Sequence, residues 1–289
     1  MIQNSELILN PDGSVYHLNL RPEHIAHDII FVGDQARVEK ITQYFDTIEY
    51  STQKREFKTQ TGVYKGKRMS VMSTGIGPDN IDIVLNELDA LVNIDLETRR
   101  PKEELTSLNI IRIGTSGSLQ ADIPTESFVM SRFGLGTDNM LRSYEASSVS
   151  IREIEDAFIK HTNWSSDKGR PYVTRCSDAL ANRIKGPRMH EGITATAGGF
   201  YGPQGRVLRL AVQDPELNNK MDNFEFEGVR ITNLEMETAA IYGLSALLGH
   251  NALSLNAIIA NRALGTFSEN PEKAVAELIG YALDKLAEV

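Results

Sequence analysis

Hydrophobic positions along the chain switch repeatedly between strand-like runs and helical spacing. Residues 28–32, Asp-Ile-Ile-Phe-Val, form a short apolar run that reads as a buried strand broken by Gly33 and Asp34. Val38, Ile41 and Phe45 then recur at i, i+3 and i+7, one face of a helix, with Asp34 placed to cap it. Strands are expected near 57–64 and 68–73, followed by a turn over 74–78. Ile81, Val84, Leu85, Leu88 and Leu91 mark a long amphipathic helix. A strand over 109–113 is expected to end at the glycine-bearing stretch 114–117, and another strand covers 126–131. Helices follow near 151–161 and 178–185, then a strand over 192–197 and a loop over 198–206. Asp214 and Pro215 stand in cap-then-proline order for a helix start. The last third reads as strand 229–233, helix 236–248, strand 252–260, loop, and helix 271–287.

This alternation predicts an α/β protein whose sheet carries helices on both faces. No internal repeat or low-complexity stretch is visible. Two polar segments, 93–107 and 138–148, interrupt the pattern; both are short for linkers and read as surface insertions. A single domain over 1–289 is expected.

Composition narrows the function. The 289 residues are 41% hydrophobic and 24% charged, enough to fill a core and exclude wholesale disorder. Asp and Glu outnumber Lys and Arg by 39 to 30, and a net charge of −9 is the wrong sign for a nucleic-acid surface. The single cysteine, Cys176, excludes a disulfide framework and a four-thiolate zinc site. No uncharged apolar run approaches the roughly 18–20 residues that span a bilayer. The first ten residues lack the regions of a signal peptide. The expectation is a cytoplasmic protein without membrane or nucleic-acid partners, binding something small.

Candidate chemistry clusters at strand ends. Gly33 with Arg37, Gly75 with Gly77, and Arg112 with Gly114, Thr115 and Gly117 put glycine beside polar or cationic groups. Open α/β sheets bind ligands there, and a helix N-terminus offers free N–H donors to an anion. Arg37 in the first turn runs against the helix dipole, which an anion between them would explain; a solvated helix residue is the plainer alternative. Arg112 interrupts the apolar run 110–113, so it needs either a structural carboxylate or a bound oxyanion. Residues 114–118 fail the serine nucleophile elbow, because Ser118 stands where glycine is required. Residues 75–80 fail the dinucleotide fingerprint at Pro78 and Asn80. His24 and His27 lack a third metal ligand nearby, and Trp164 and Cys176 have no motif context. Glu235 and Glu237, at i, i+2 before an amphipathic helix, are expected to point to different sides, one capping or neutralising a cation and the other facing a ligand; a plain helix start, whose first turn favours glutamate, is the alternative.

Taken together, these stretches resemble the nucleoside phosphorylase superfamily, and its uridine phosphorylase branch in particular. The resemblance runs in order from Val15 to the C-terminus. It rests on Tyr16-His-Leu-Asn-Leu20, Val32-Gly-Asp-Gln-Ala-Arg-Val38, Arg55-Glu-Phe57, Ser73-Thr-Gly-Ile-Gly77 and Ile111-Arg-Ile-Gly-Thr-Ser-Gly117, then on Phe200-Tyr-Gly-Pro-Gln-Gly-Arg206, Asn233-Leu-Glu-Met-Glu237 and Ile259-Ala-Asn-Arg262. It implies a three-layer α/β/α fold with a mixed, partly barrel-like central sheet. It also implies phosphorolysis of uridine to uracil and ribose 1-phosphate, with inorganic phosphate as co-substrate and no cofactor or metal. By the resemblance, Gly33, Arg37, Arg112 and Thr115 hold phosphate, joined by Arg55 from a neighbouring subunit. His17 reaches across similarly toward the ribose 5′-hydroxyl, while Met236 and Glu237 hold the ribose. Gln204 and Arg206 read the uracil edge, Phe200 packs on the ring, Ser116 and Gly117 flank the base, and Arg262 lies behind it near Arg206. Arg112, Glu237, Arg206 and Gln204 are the expected catalytic groups.

A shared site requires a homo-oligomer, a dimer or a hexamer of three dimers. The 93–107 insertion looks more like the dimeric animal members, and Gly202-Pro203 reverses the order typical of bacterial ones. Purine nucleoside phosphorylases would share the phosphate arginines but place an aspartate where Asn261 stands. A nucleosidase would have no use for three arginines around an anion, and a non-catalytic nucleoside binder would have lost part of the set.

Overall fold

Every residue of the first strand, β1 (Asp28–Val32), is buried, which places it inside a sheet covered on both faces. The computed structural model, which describes residues 1–288, sets β1 parallel to two neighbours, β4 (Lys67–Ser73) and β7 (Asn109–Ser118). Between β1 and β4 lie α1 (Gln35–Thr42), β2 (Thr47–Lys54) and β3 (Phe57–Tyr64). The Asp34 carboxylate accepts the Ala36 N–H at 3.0 Å, so it caps α1 as expected. β2, β3 and β4 form an antiparallel meander. β2 is an exposed edge strand of mostly polar residues, so no apolar alternation announces it.

After β4 come α2 (Pro78–Asn93) and a two-stranded hairpin, β5 (Ile94–Asp95) with β6 (Arg100–Pro101), inside the polar segment 93–107. β7 does not end at Gly114. It continues to Ser118, because residues 114–118 stay hydrogen-bonded beside β13 (Asn251–Asn261). β8 (Phe128–Gly136) likewise outruns the expected 126–131. The chain proceeds through α3 (Arg152–Thr162), β9 (Tyr172–Arg175), α4 (Asp178–Ile184) and β10 (Met189–Thr196). Next are α5 (Leu217–Asp222), β11 (Glu225–Phe226), β12 (Val229–Glu235) and α6 (Thr238–Leu248). After β13, β14 (Thr266–Phe267) and α7 (Pro271–Ala287) complete the chain. α5 starts at Leu217 rather than at Asp214-Pro215: the Asp214 carboxylate accepts the Glu216 N–H at 3.1 Å in a turn ahead of the helix.

Five strands close on themselves. β7 pairs with β13, β13 with β8, β8 with β10, β10 with β12, and β12 returns to β7 through Asn233 opposite Ser118 and Leu234 opposite Gly117. Parallel and antiparallel pairs are mixed around this ring. Register shifts at Gly192/Ile193 and Ile258/Ala260 provide local bends of the kind closure needs. From β7 the sheet continues outward through β1, β4, β3 and β2. α2 packs with α6, which covers β8, β9, β10 and β13, while α4 packs with α7 over β13 and β7. The result is a three-layer α/β/α fold around a barrel-like sheet, and its main apolar core runs from Val15 to Leu286.

The segment 138–148 lies largely at the surface, as expected, but it is pinned to the body of the protein. Asp138 is largely enclosed and accepts the Tyr172 hydroxyl at 2.9 Å, and Leu141 is buried against Gly243 of α6.

Candidate active site

The carboxyl ends of β1, β4, β7, β12 and β13 converge on a cavity of about 700 Å³. Gly33, Arg37, Arg112, Thr115, Ser116, Gly117, Phe200, Gln204, Arg206, Met236 and Glu237 all line it. Arg262, Arg55 and His17 do not.

Arg112 has the carboxylate partner that its burial demands, and it also lines the cavity. Its side chain lies over Gly114 on its own strand, and a Cβ on Gly114 would stand 1.8 Å from Nη1. Only glycine leaves room for the guanidinium there. Nη1 donates to Asn256 Oδ1 at 2.8 Å, and Nη2 donates to Glu237 Oε2 at 2.5 Å with Glu235 Oε2 at 3.3 Å. Burial opposes the charge, but Glu235 and Glu237 outweigh it and hold the Arg112 pKa above its ordinary value.

Glu235 and Glu237 do not diverge from a helix. Glu235 ends β12 and Glu237 is the N-cap position of α6, so the turn between them brings both carboxylates to Arg112. Glu235 also accepts the N–H groups of Glu237 at 2.9 Å and Thr238 at 3.0 Å and the Thr196 hydroxyl at 2.6 Å. It caps the start of α6 and shares with Glu237 the neutralisation of Arg112. Glu237 Oε1 accepts the Gly77 N–H at 2.7 Å, and Gly77 holds a φ of 97° that disfavours a side chain. Burial raises the Glu237 pKa, with the Arg112 charge holding it back.

Arg37 is different. Its Nη1 donates to the Ile113 carbonyl at 3.3 Å, and among the described residues it forms no ion pair. Burial and the nearby Arg112 both lower its pKa. A half-buried guanidinium without a carboxylate, beside a second guanidinium and an α1 N-terminus, is a place for an anion.

The opposite end is built on the loop after β10. Gln204 is buried, and its Oε1 accepts from Arg206, whose guanidinium lies 3.8 Å over the Phe200 ring centroid. Arg262 Nη1 donates to the Gln204 carbonyl at 2.8 Å, and its stem packs over Gly117. Arg262 therefore braces the loop from behind. Burial and then Arg206 lower its pKa to about 10. The Ser116 hydroxyl accepts from Asn233 Nδ2 at 2.8 Å, which leaves its own proton for a ligand.

Arg55 and His17 lie outside the cavity of their own chain. Arg55 is exposed at the β2–β3 turn with φ 53°, and neighbouring Glu56 lines the cavity instead. His17 is half-buried, its ring 6.5 Å from that of Phe57 at the start of β3. His24 stacks on Tyr50 at 3.7 Å, and among the described residues no three His, Cys, Asp or Glu side chains converge. Asn256, which holds Arg112, is one of the residues that sequence reasoning missed, as is the cavity-lining Glu56. A polar side chain inside the buried run of β13 was the available signal, since such a group needs an internal partner.

Residues 28–288 match the model of the phosphorylase superfamily. A uridine phosphorylase of Thermococcus kodakarensis is 30% identical over 286 residues, covering 96% of this chain and 88% of the relative. A DeoD-type purine nucleoside phosphorylase of Bacillus subtilis is 24% identical, covering 94% and 99%. The crystal structure of a Trypanosoma brucei nucleoside phosphorylase, described as showing uridine phosphorylase activity, superposes with a TM-score of 0.88 at 29% identity, covering 98% of this chain and 100% of that one. With that match over nearly the whole chain and a cavity where its strand ends meet, the protein belongs to the phosphorylase superfamily.

Proposed function

We propose that the protein is a uridine phosphorylase, transferring the ribosyl group of uridine from uracil to inorganic phosphate to give ribose 1-phosphate. The observation that carries this reading is a single cavity with two unlike ends. Arg37 without a counter-ion and Arg112 lie at one end, and the Gln204–Arg206 pair lies at the other.

Phosphate is a poor nucleophile and uracil a poor leaving group, so the transition state has oxocarbenium character at the ribose, between two anions. Arg37, Arg112, Thr115 and Gly33 position the phosphate. Their donors count most where charge develops away from water. Glu237, held by Arg112 and Gly77, grips the ribose hydroxyls beside the developing positive charge, with Met236 against the sugar. Gln204 and Arg206 meet the negative charge that moves onto uracil. An amide that donates and accepts suits a ring edge carrying a carbonyl beside an N–H. Phe200 covers the ring, and Ser116 and Gly117 border it. No covalent nucleophile is required.

Asn261 supports a pyrimidine over a purine. Its Nδ2 donates to the carbonyls of Gln120 and Ile123, both at 2.9 Å, and its Oδ1 accepts the Leu264 N–H at 2.9 Å. An amide has no acidic proton to give a purine, and these contacts leave it engaged with the backbone. In the same reading, Arg55 and His17 complete the cavity of a second copy in a dimer or a hexamer of dimers, and the enzyme works in cytoplasmic pyrimidine salvage.

The test is base release by ultraviolet absorbance for uridine, deoxyuridine, thymidine and inosine, with and without phosphate. Uridine should be cleaved only with phosphate and far faster than inosine. Equal rates on inosine would overturn the pyrimidine assignment. Turnover without phosphate would make the protein a hydrolase, and no turnover on any of them would make it a binder.

A further inference from the structure

The segment that carries His17 is tied to α2 through one carboxylate. Glu87 accepts the backbone N–H of His17 at 3.0 Å and that of Leu18 at 2.8 Å, and its Oε1 lies 2.6 Å from His17 Nδ1. Two backbone N–H donors and one ring nitrogen of a single dipeptide thus converge on a side chain 15% exposed. Among the described residues, His17 Nε2 makes no hydrogen bond. The rest of the segment is held as well. Lys54 Nζ donates to Asn10 Oδ1 at 3.0 Å and to the Tyr16 carbonyl, and Tyr16 packs edge-on to the His17 ring at 4.9 Å.

We infer that Glu87 is the positioning residue for His17, fixing both its tautomer and its direction so that Nε2 is presented to a nucleoside 5′-hydroxyl. An ionised carboxylate only accepts hydrogen bonds, so in the neutral imidazole it selects the Nδ1–H form. Nε2 is then left with its lone pair, an acceptor for the hydroxyl proton. The backbone bonds to His17 and Leu18 stop the ring from following the carboxylate elsewhere. No proton is transferred and no bond is made or broken; the contribution is orientation. The inference rests on the proposed role of His17 in a neighbouring subunit's site, and it adds what makes that role specific.

The experiment compares Glu87→Gln with wild type on uridine and on 5′-deoxyuridine, which lacks only the recognised hydroxyl. Glu87→Gln should lower kcat/KM for uridine about tenfold, the scale of a lost oriented hydrogen bond, and change it less than twofold for 5′-deoxyuridine. In a His17→Ala background the same substitution should add nothing. Glu87→Asp, which keeps the charge but withdraws it, should repeat the pattern and serves if the glutamine variant folds poorly. Equal losses on both substrates, or a further loss in the His17→Ala background, would overturn the inference and reduce Glu87 to a loop anchor. A second readout is independent of turnover: nitrogen NMR of [15N]histidine-labelled protein should show the Nδ1–H form of His17 in wild type and its loss in Glu87→Gln. A wild-type His17 in the Nε2–H form would overturn the inference too. Failure of wild type to cleave uridine would strike the proposed function alone, since the tautomer measurement still decides the role of Glu87.

Discussion

Arg112 Nη2 and Glu237 Oε2 lie 2.5 Å apart although 125 residues separate them in the chain. This contact joins the proposed phosphate-binding cation to the proposed ribose-binding carboxylate, so displacing one takes a partner from the other. It also makes the cationic end of the cavity asymmetric: Arg112 is neutralised from below while Arg37 is not.

Replacing Arg112 by alanine should therefore do two things. Loss of a donor to the reacting anion should cost roughly 3–4 kcal/mol of transition-state stabilisation, read as kcat/KM for phosphorolysis. Glu235 and Glu237 would also be left buried without their cation, so the melting temperature should fall, because breaking a buried pair on one side costs about 3–5 kcal/mol. Activity within a factor of two of wild type would return Arg112 to a purely structural role.

Gly114→Ala tests the same guanidinium without touching it. The new Cβ would stand 1.8 Å from Arg112 Nη1, so the side chain has to leave its place between Asn256 and Glu237. Overpacking of this kind costs about 1–3 kcal/mol. A large rise in the phosphate KM with a modest loss of stability is the expected result, and an unchanged phosphate KM would contradict it.

A site shared between copies predicts complementation. Arg37→Ala and Arg55→Ala should each be nearly inactive alone. After unfolding and refolding together in equal amounts, about half of the dimers are hybrids, and each hybrid restores one of its two sites, so roughly a quarter of wild-type activity should return. No recovery, with hybrids verified by mass spectrometry, would mean that Arg55 does not act across an interface.

Asp28 sets an expectation for acid stability. Burial alone would raise its pKa, but hydrogen bonds from Lys67 at 2.6 Å and Asn109 at 2.7 Å win and depress it. A depressed carboxyl pKa stabilises the fold above the unfolded value, near 3.9, and that stabilisation fades as pH drops toward the folded value. Asp28→Asn should thus melt lower than wild type at pH 7, with the gap narrowing below about pH 4. A constant gap across that range would show that the ionised form of Asp28 does not contribute.

Much of this molecule is legible in the order of its residues. The strand over Asp28–Val32 and the helix over Pro271–Ala287 follow from local pattern, because a five-residue apolar run cut off by Gly33 is short for a helix and an i, i+3, i+4 stripe matches the helical period. Part of the site was legible in the same way, because an arginine inside the apolar run 110–113 is costly without a partner, whereas Gln204, Arg206 and Phe200 stood out only through the family resemblance. β2 and β9 stayed hidden because a polar edge strand and a four-residue strand carry too little alternation to register.

Tertiary structure alone decided which of these groups meet. Glycines that looked like a strand end at 114–117 became part of β7 once β13 lay beside them. Arg112 found Asn256 across 144 residues because β7 and β13 pair in one particular register, and it found Glu237 because β12 closes the barrel against β7. Periodicity reports the neighbours a residue has along its own element. Which strand lies alongside, and at what offset, depends on the packing of the whole sheet, and in this protein those offsets bring Arg112, Asn256 and Glu237 together.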